Sequence, residues 1–274
     1  MKKIILLSLI VLQTSTVFSQ IASSSYTNKN KIFIYYGRNA SAYSQSDIHF
    51  RGKDYNFDLK NVVAKDRPSG FAWKYLNPSR ITIPQYNFRV GYFFSPKYSI
   101  SFGFDHMKYV MQQNQTVNIS GNISGSGTDY DHAYKNEPID LTENFLKFEH
   151  TNGLNYLNLE LRRMDNLFSA KNLPIKNIEI NVFEGFGAGI LYPKTDVTLL
   201  NFDRNDQWHL AGYGTSVVAG LNVTFFKHFF IQAEGKGGFI NMPNVLTTNF
   251  KDDHAEQHFF FAQANFNLGF IFKL

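Results

Sequence analysis

The chain contains no cysteine, so a disulfide scaffold is excluded. Beyond residue 20 it has no apolar run long enough to cross a bilayer as a helix, which excludes a helical membrane protein. Charge of one sign is also scarce. The formal balance is +5, or about +3 without Lys2 and Lys3, too little to suggest a nucleic-acid partner. There is no phosphate loop, dinucleotide fingerprint or zinc signature, so no cofactor is expected. No metal is expected either, although Asp47, His49, His132, Asp253, His254 and His258 are ligand types placed in connecting segments.

Aromatic rings and an export-like start are present in their place. Lys2 and Lys3 precede the short apolar run Ile4 to Leu12, and Thr14 to Ser19 is small and polar. This is the pattern of a signal peptide over residues 1–19, leaving 20–274 as a single unit with no visible linker or repeat. Phe 28 and Tyr 15 exceed what a soluble core of this size requires, while mean hydropathy stays slightly polar. Strands with one apolar and one polar face produce that combination, because the two faces cancel in any window.

Alternation of period two recurs along the chain. The last residues place Phe266, Leu268, Phe270, Phe272 and Leu274 on one face and Asn265, Asn267, Gly269 and Lys273 on the other, with Ile271 as an exception. Further strands are predicted at 229–245, 209–226, 176–192, 147–163, 98–111, 82–94 and 31–43, the last with unclear faces around Phe33 to Tyr36. Connections alternate between short (95–97, 168–175, 227–228) and long (44–81, 112–146, 193–208, 246–256). A secreted chain with an even strand count and this alternation predicts an all-β, antiparallel, up-and-down transmembrane β-barrel of about eight strands. The short turns then lie in the periplasm and the long loops outside, where 44–81 and 112–146 carry alternating stretches that could extend the wall.

Asn267, Gly269, Phe272 and Leu274 match the polar-x-Gly-x-x-apolar-x-apolar ending of many outer-membrane barrels. That resemblance implies outer-membrane localisation and recognition of the last strand by the barrel assembly machinery during insertion; Leu274 stands where an aromatic residue is usual. The layout as a whole resembles the OmpA membrane domain and the OmpX type. The polar face would carry Arg89, Asp105, Glu160, Arg162, Glu179, Glu234 and Lys236 into a lumen just wide enough for side chains, where such charges must pair. A salt-bridged plug is expected, with a narrow channel or carrier for small apolar solutes as an alternative. Outer-membrane lipid and lipopolysaccharide would surround the wall, and an extracellular ligand would meet the loops.

Simple alternation from Ile178 sends Glu184 toward lipid, so a bulge near Phe183 is expected to turn it inward. Two histidines stand near the outer strand ends, His106 and His150. His150, Asn152, Gly153 and Leu154 resemble a degraded His-x-Ser-Asn motif of the PagL-type lipid A deacylases. The resemblance implies a hydrolase with His150 as base and Glu160 or Glu184 as the orienting acid. The chain departs from that motif at the nucleophile, with Asn152 in the place of Ser and Thr151 on the opposite strand face. The leading expectation is a non-enzymatic outer-membrane protein with a plugged lumen and long interacting loops.

Overall fold

The computed structural model describes residues 27–70, 73, 84–170 and 177–274; the predicted signal peptide lies outside the described residues. Among the described residues fifteen antiparallel strands form one sheet. Eight of them close into a ring: β1 (Lys31–Tyr43), β5 (Tyr86–Phe93), β6 (Tyr98–Met111), β9 (Leu146–Ala170), β10 (Ile178–Leu191), β13 (Gly212–Phe225), β14 (Phe229–Leu246) and β15 (His254–Lys273). The first and last strands zip together from Lys31↔Lys273 to Tyr43↔Phe261, so no edge remains in the ring.

Following paired residues around the ring gives its stagger. Ile178 pairs with Phe225, then come Phe229, Phe270, Ile34, Val90, Phe102 and Leu159, and the row returns to β10 at Ala188, ten residues further on. A stagger of this size tilts the strands and sets a narrow eight-stranded cylinder. Every residue of the row is apolar. Exposed Phe186, Val217, Leu221 and Phe266 continue it into an apolar belt around the outside. Tyr98 below and Tyr213, Tyr192 and Trp208 above border the belt as aromatic rims, the last two stacked on each other at 5.8 Å.

Above the belt the same strands turn inside out. On β15 the inward residues are Asn267, Asn265 and Gln263 within the belt, then Phe261, Phe259, Gln257 and Ala255 above it, mostly apolar. The outward residues change the opposite way, from Phe270, Phe266 and Phe260 to His258, Glu256 and His254. The upper apolar face is covered by strands from the long connections. β2 (Ser46–Arg51), β3 (Tyr55–Val62), β7 (Thr116–Ile123) and β8 (His132–Asp140) extend the sheet from the top of β15, and β4 (Ala64–Lys65) pairs with β6. On the other side β11 (Lys194–Leu199) and β12 (Asn205–Trp208) form a hairpin on β9. Ile48, Phe50, Phe57, Leu59 and Ile119 from the added sheet meet Tyr109, Phe148, Met242 and Phe259 from the barrel in one buried core. The described parts of the connections 44–81 and 112–146 therefore build walls of a water-facing module.

The expected strands hold, with corrections of extent. β9 runs past its predicted end at 163 to Ala170, toward the short turn before β10, and β15 begins at His254, within the predicted 246–256 connection. The unclear faces of β1 resolve with Phe33 and Tyr35 inward. The exceptional Ile271 joins them, since Phe33, Tyr35, Phe93, Phe230 and Ile271 form a second apolar cluster inside the periplasmic mouth.

The Glu184 expectation is overturned. Alternation on β10 is unbroken from Ile178 to Leu191, leaving Phe183 buried and Glu184 exposed on the outer wall. The irregularity lies on β9, where Leu167 is the extra residue opposite Ile180 and Asn181. Gly269 of the terminal motif has a local reason: a Cβ there would press into the Phe230 ring and the carbonyl oxygen of Ile34. Gly269→Ala should therefore cost about 1–3 kcal/mol by overpacking, read as a lower urea midpoint in detergent micelles with the barrel still forming.

Candidate functional site

The lumen within the belt holds one connected polar cluster. Glu160 on β9 is its hub. Its carboxylate accepts from Arg89 Nη2 at 2.8 Å, lies 2.6 Å from Arg162 Nη2 and 2.8 Å from Lys236 Nζ. Lys236 also donates to Asp105 at 2.5 Å, and Arg162 Nη1 donates to Glu234 at 3.0 Å. Three acids thus face three bases. The remaining valences are filled by neutral groups. Arg89 Nε and Arg162 Nη2 each donate to the Tyr35 hydroxyl at 3.0 Å, Gln232 and Asn265 each donate to Glu234 at 2.8 Å, and Asn158 Nδ2 donates to Asp105 at 3.0 Å. The Arg162 guanidinium also lies 5.0 Å from the centre of the Phe183 ring. Buried ions are tolerated only when paired and bonded in this way.

Buried apolar side chains flank the cluster on both sides. Below it lie the rings of Phe33, Phe93 and Phe230 with Ile271; the void beside Arg162 is about 20 Å³, room for about one water. Above it lie Tyr156, Phe261 and the core of the outer module. Six of the seven residues expected in the lumen network are joined by these contacts. Glu179 lies apart from them, half-buried near the periplasmic mouth opposite Thr224 and Ser169.

A closed ring with a lipid-like exterior and a charge-balanced interior decides the class. The chain is a transmembrane β-barrel of the outer-membrane type. No protein-family model matches the chain, and no curated protein matches it. Among solved structures it is similar to the outer membrane protein OprG of Pseudomonas aeruginosa (10% identity, 92% of this chain and 100% of that one, TM-score 0.36). It is also similar to the N-terminal β-barrel domain of Pseudomonas aeruginosa OprF (12%, 89% and 98%, TM-score 0.31) and to Ail, the attachment invasion locus protein of Yersinia pestis (10%, 87% and 99%, TM-score 0.29). Likeness of this degree adds nothing to the class that the strand order and the belt already define.

The residues of the deacylase-like alternative do not meet in this barrel. His150 is fully buried in the outer module, with Nδ1 2.9 Å from Thr195 Oγ1 and Nε2 3.3 Å from the Gln257 amide. Its ring packs against Tyr109 and Phe148. Asn152 is exposed beside Gly153, whose φ of 119° marks an irregular stretch where β9 pairs with β6. Glu160 lies ten residues down the same strand, about 30 Å away at strand rise, and Glu184 faces outward. His106 lies flat against Tyr86 at 5.0 Å, with Nδ1 2.8 Å from Asn155 Oδ1.

Among the described residues no group of three or more His, Asp or Glu is placed to hold a metal. His254 and His258 are four apart, a chelating distance on a helix, but on a strand they are separated by about 13 Å.

A second charged array escaped the sequence reading. On the outer wall of the module, ion pairs run from Arg67 to Glu149 (3.5 Å), Lys147 (3.3 Å), Asp196 (3.2 Å), Arg204 (2.7 Å), Asp206 (3.4 Å) and Lys194 (3.2 Å). Burial works to raise the Asp196 carboxyl, but the bonds from Arg204 and Lys147 outweigh it and hold it below its usual range. The array borders a cleft of about 350 Å³ floored by Met111 and Phe148. Its members come from β9, from the β11–β12 hairpin including its turn, and from the segment after β4, and no local pattern links them.

Two outcomes follow. Glu160→Ala leaves three buried cations short of their shared anion and should cost about 3–5 kcal/mol, seen as a large fall in urea midpoint in micelles. Burial pushes His150 down to about 3, so the folded form excludes a proton that the unfolded chain takes up below about pH 6.5. Its contribution is complete above that pH and falls as pH drops toward 3. Urea midpoints measured from pH 7 to 4 should decline, and His150→Gln should flatten that decline.

Proposed function

We propose that this protein is a non-enzymatic outer-membrane protein in which a sealed barrel anchors a folded β-module at the cell surface as its contact surface. The observation that carries this reading is the interior: a charge-balanced ion cluster with a buried apolar cluster on either side of it. Such a lumen serves rigidity rather than passage.

Outside, β2, β3, β7 and β8 turn apolar residues onto the core and present Asp47, Arg51, Asp58, Lys60, Asn118 and Asn122 to solvent. The free edge at β8 is blunted by Lys135, by Pro138, which cannot donate to an added strand, and by a register irregularity around Asn136. A partner is therefore met through the polar face of the sheet rather than by strand addition. Outer-leaflet lipid and lipopolysaccharide surround the belt, and the terminal residues Asn267, Gly269, Phe272 and Leu274 serve recognition by the assembly machinery.

Both rival functions are tested with the same preparation. Inserted into planar bilayers, the mature protein should give no discrete conductance steps; stepwise currents would restore the channel. Cells expressing it should keep an unchanged lipid A mass profile. A loss of acyl chains that disappears in His150→Ala would restore the hydrolase.

A further inference from the structure

Four charges stand together on the outside of the barrel where β6, β9 and β10 meet. Arg163 and Asp165 face outward from β9, Glu184 stands directly across from Arg163 on β10, and Lys97 belongs to the short turn before β6. Asp165 lies 2.6 Å from Lys97 Nζ and 2.7 Å from Arg163 Nε, and the charge of Glu184 acts on Arg163 from the other side. Two bases and two acids leave the patch neutral.

The wall around Glu184 is apolar. On β10 the outward residues Ile178, Ile180 and Val182 lie below it, and Phe186, Ala188 and Ile190 lie above it. On β13 the residues opposite Val182, Glu184 and Phe186 are Leu221, Ala219 and Val217. Ile178 is about 20 Å further down the strand. Rows of paired residues climb from β6 through β9 to β10, so Glu184 also stands higher in the wall than Tyr98, which opens β6. Arg163 and Glu184 therefore face outward within the apolar belt, and Glu184 is exposed there.

Neutrality does not remove the cost of charges whose outer side meets acyl chains. A second protein surface relieves it, and ionisable residues inside a membrane are ordinarily turned toward protein. The arrangement says which surface fits. All copies of a barrel enter one membrane in the same orientation, so two of them are related by a two-fold axis along the membrane normal. Such an axis keeps every residue at its own depth and exchanges left for right. With the axis between β9 and β10, Glu184 of one copy meets the partner's Arg163, and Arg163 meets the partner's Glu184. Exposed Leu161 and Phe186, the outward pair next above, meet their counterparts in the same exchange. The patch is thus complementary to itself.

We propose that the outer wall at Arg163 and Glu184 is where two copies of this chain pair within the membrane. The pairing rests on the membrane-embedded reading of the barrel, which insertion tests on its own.

The chain has no cysteine, so Asp129→Cys on the exposed β7–β8 connection takes a single dye. Mature full-length protein carrying donor or acceptor is folded into phosphatidylcholine vesicles, and energy transfer is followed as the protein is diluted with lipid. Folding of each variant is checked by the mobility of the unheated band in a denaturing gel. Wild type should show transfer that persists on dilution. Glu184→Arg sets base against base and Arg163→Glu sets acid against acid. Each alone should need about tenfold more protein per lipid for the same transfer. Mixed together, the two variants restore opposite charges at both contacts and should regain the transfer of wild type, an outcome that altered folding does not produce. Should a reversed variant not fold, Glu184→Gln and Arg163→Gln add no charge to the wall and should each weaken pairing about threefold. Transfer in wild type no greater than chance proximity would overturn the proposal. So would folded variants that pair as well as wild type, or a mixture that pairs no better than either variant alone. Recovery from cells of a different protein bound at this wall, with no pairing of copies in vesicles, would overturn it too. Failure of wild type to enter vesicles at all would instead remove the membrane reading.

Discussion

Glu160 and the three cations around it are what the membrane part of this protein is organised to satisfy. A carboxylate, two guanidiniums and an ammonium in a narrow cylinder would be prohibitive singly, and together with Asp105 and Glu234 they are neutral. Because the six charges come from β5, β6, β9 and β14, they cross-link the barrel through its middle. The backbone ladder closes the wall; the cluster fixes its interior. Small inward residues give the long side chains room: a Cβ on Gly103 would occupy the place of the Arg89 guanidinium.

Above the belt the solvent changes, and the strands change with it. Where lipid lies outside, apolar residues face out and the ions face in. Where water lies outside, the polarity reverses and the lumen is replaced by a core of rings from Phe50, Phe57, Tyr109, Phe148 and Phe259. One set of strands therefore belongs to two folding environments. The outer module is both the surface offered to the exterior and the seal over the ion cluster. That dual use accounts for His150, a residue of catalytic type placed where it is buried, neutral and bonded to Thr195 and Gln257.

Much was legible in the residues alone. Period-two alternation with bulky rings on one face, alternating connection lengths and the terminal Asn267 to Leu274 pattern are local properties of a strand that meets lipid on one side, so strand count, barrel class and orientation could be read directly. The lumen charges were legible for the same reason, since alternation assigns Arg89, Glu160, Arg162, Glu234 and Lys236 to the polar face. What alternation cannot state is when the medium changes. The upper half of β15 keeps its period while exchanging the meaning of its faces, and that of β9 passes through an irregularity at Gly153, so the sheet built from the long connections was hidden.

Pairing between distant strands decided the rest. Whether Glu184 faces in or out depended on the register of β10 against β9, and only that register shows it in a row with Arg163 and Tyr98. The seven-membered charge array on the outer wall joins three separate stretches of chain, a relation of three-dimensional proximity that no spacing encodes. The sequence determined which faces are greasy and therefore that a closed barrel forms. Tertiary structure decided which solvent each face meets, because burial depends on the neighbouring strand as well as on the residue itself.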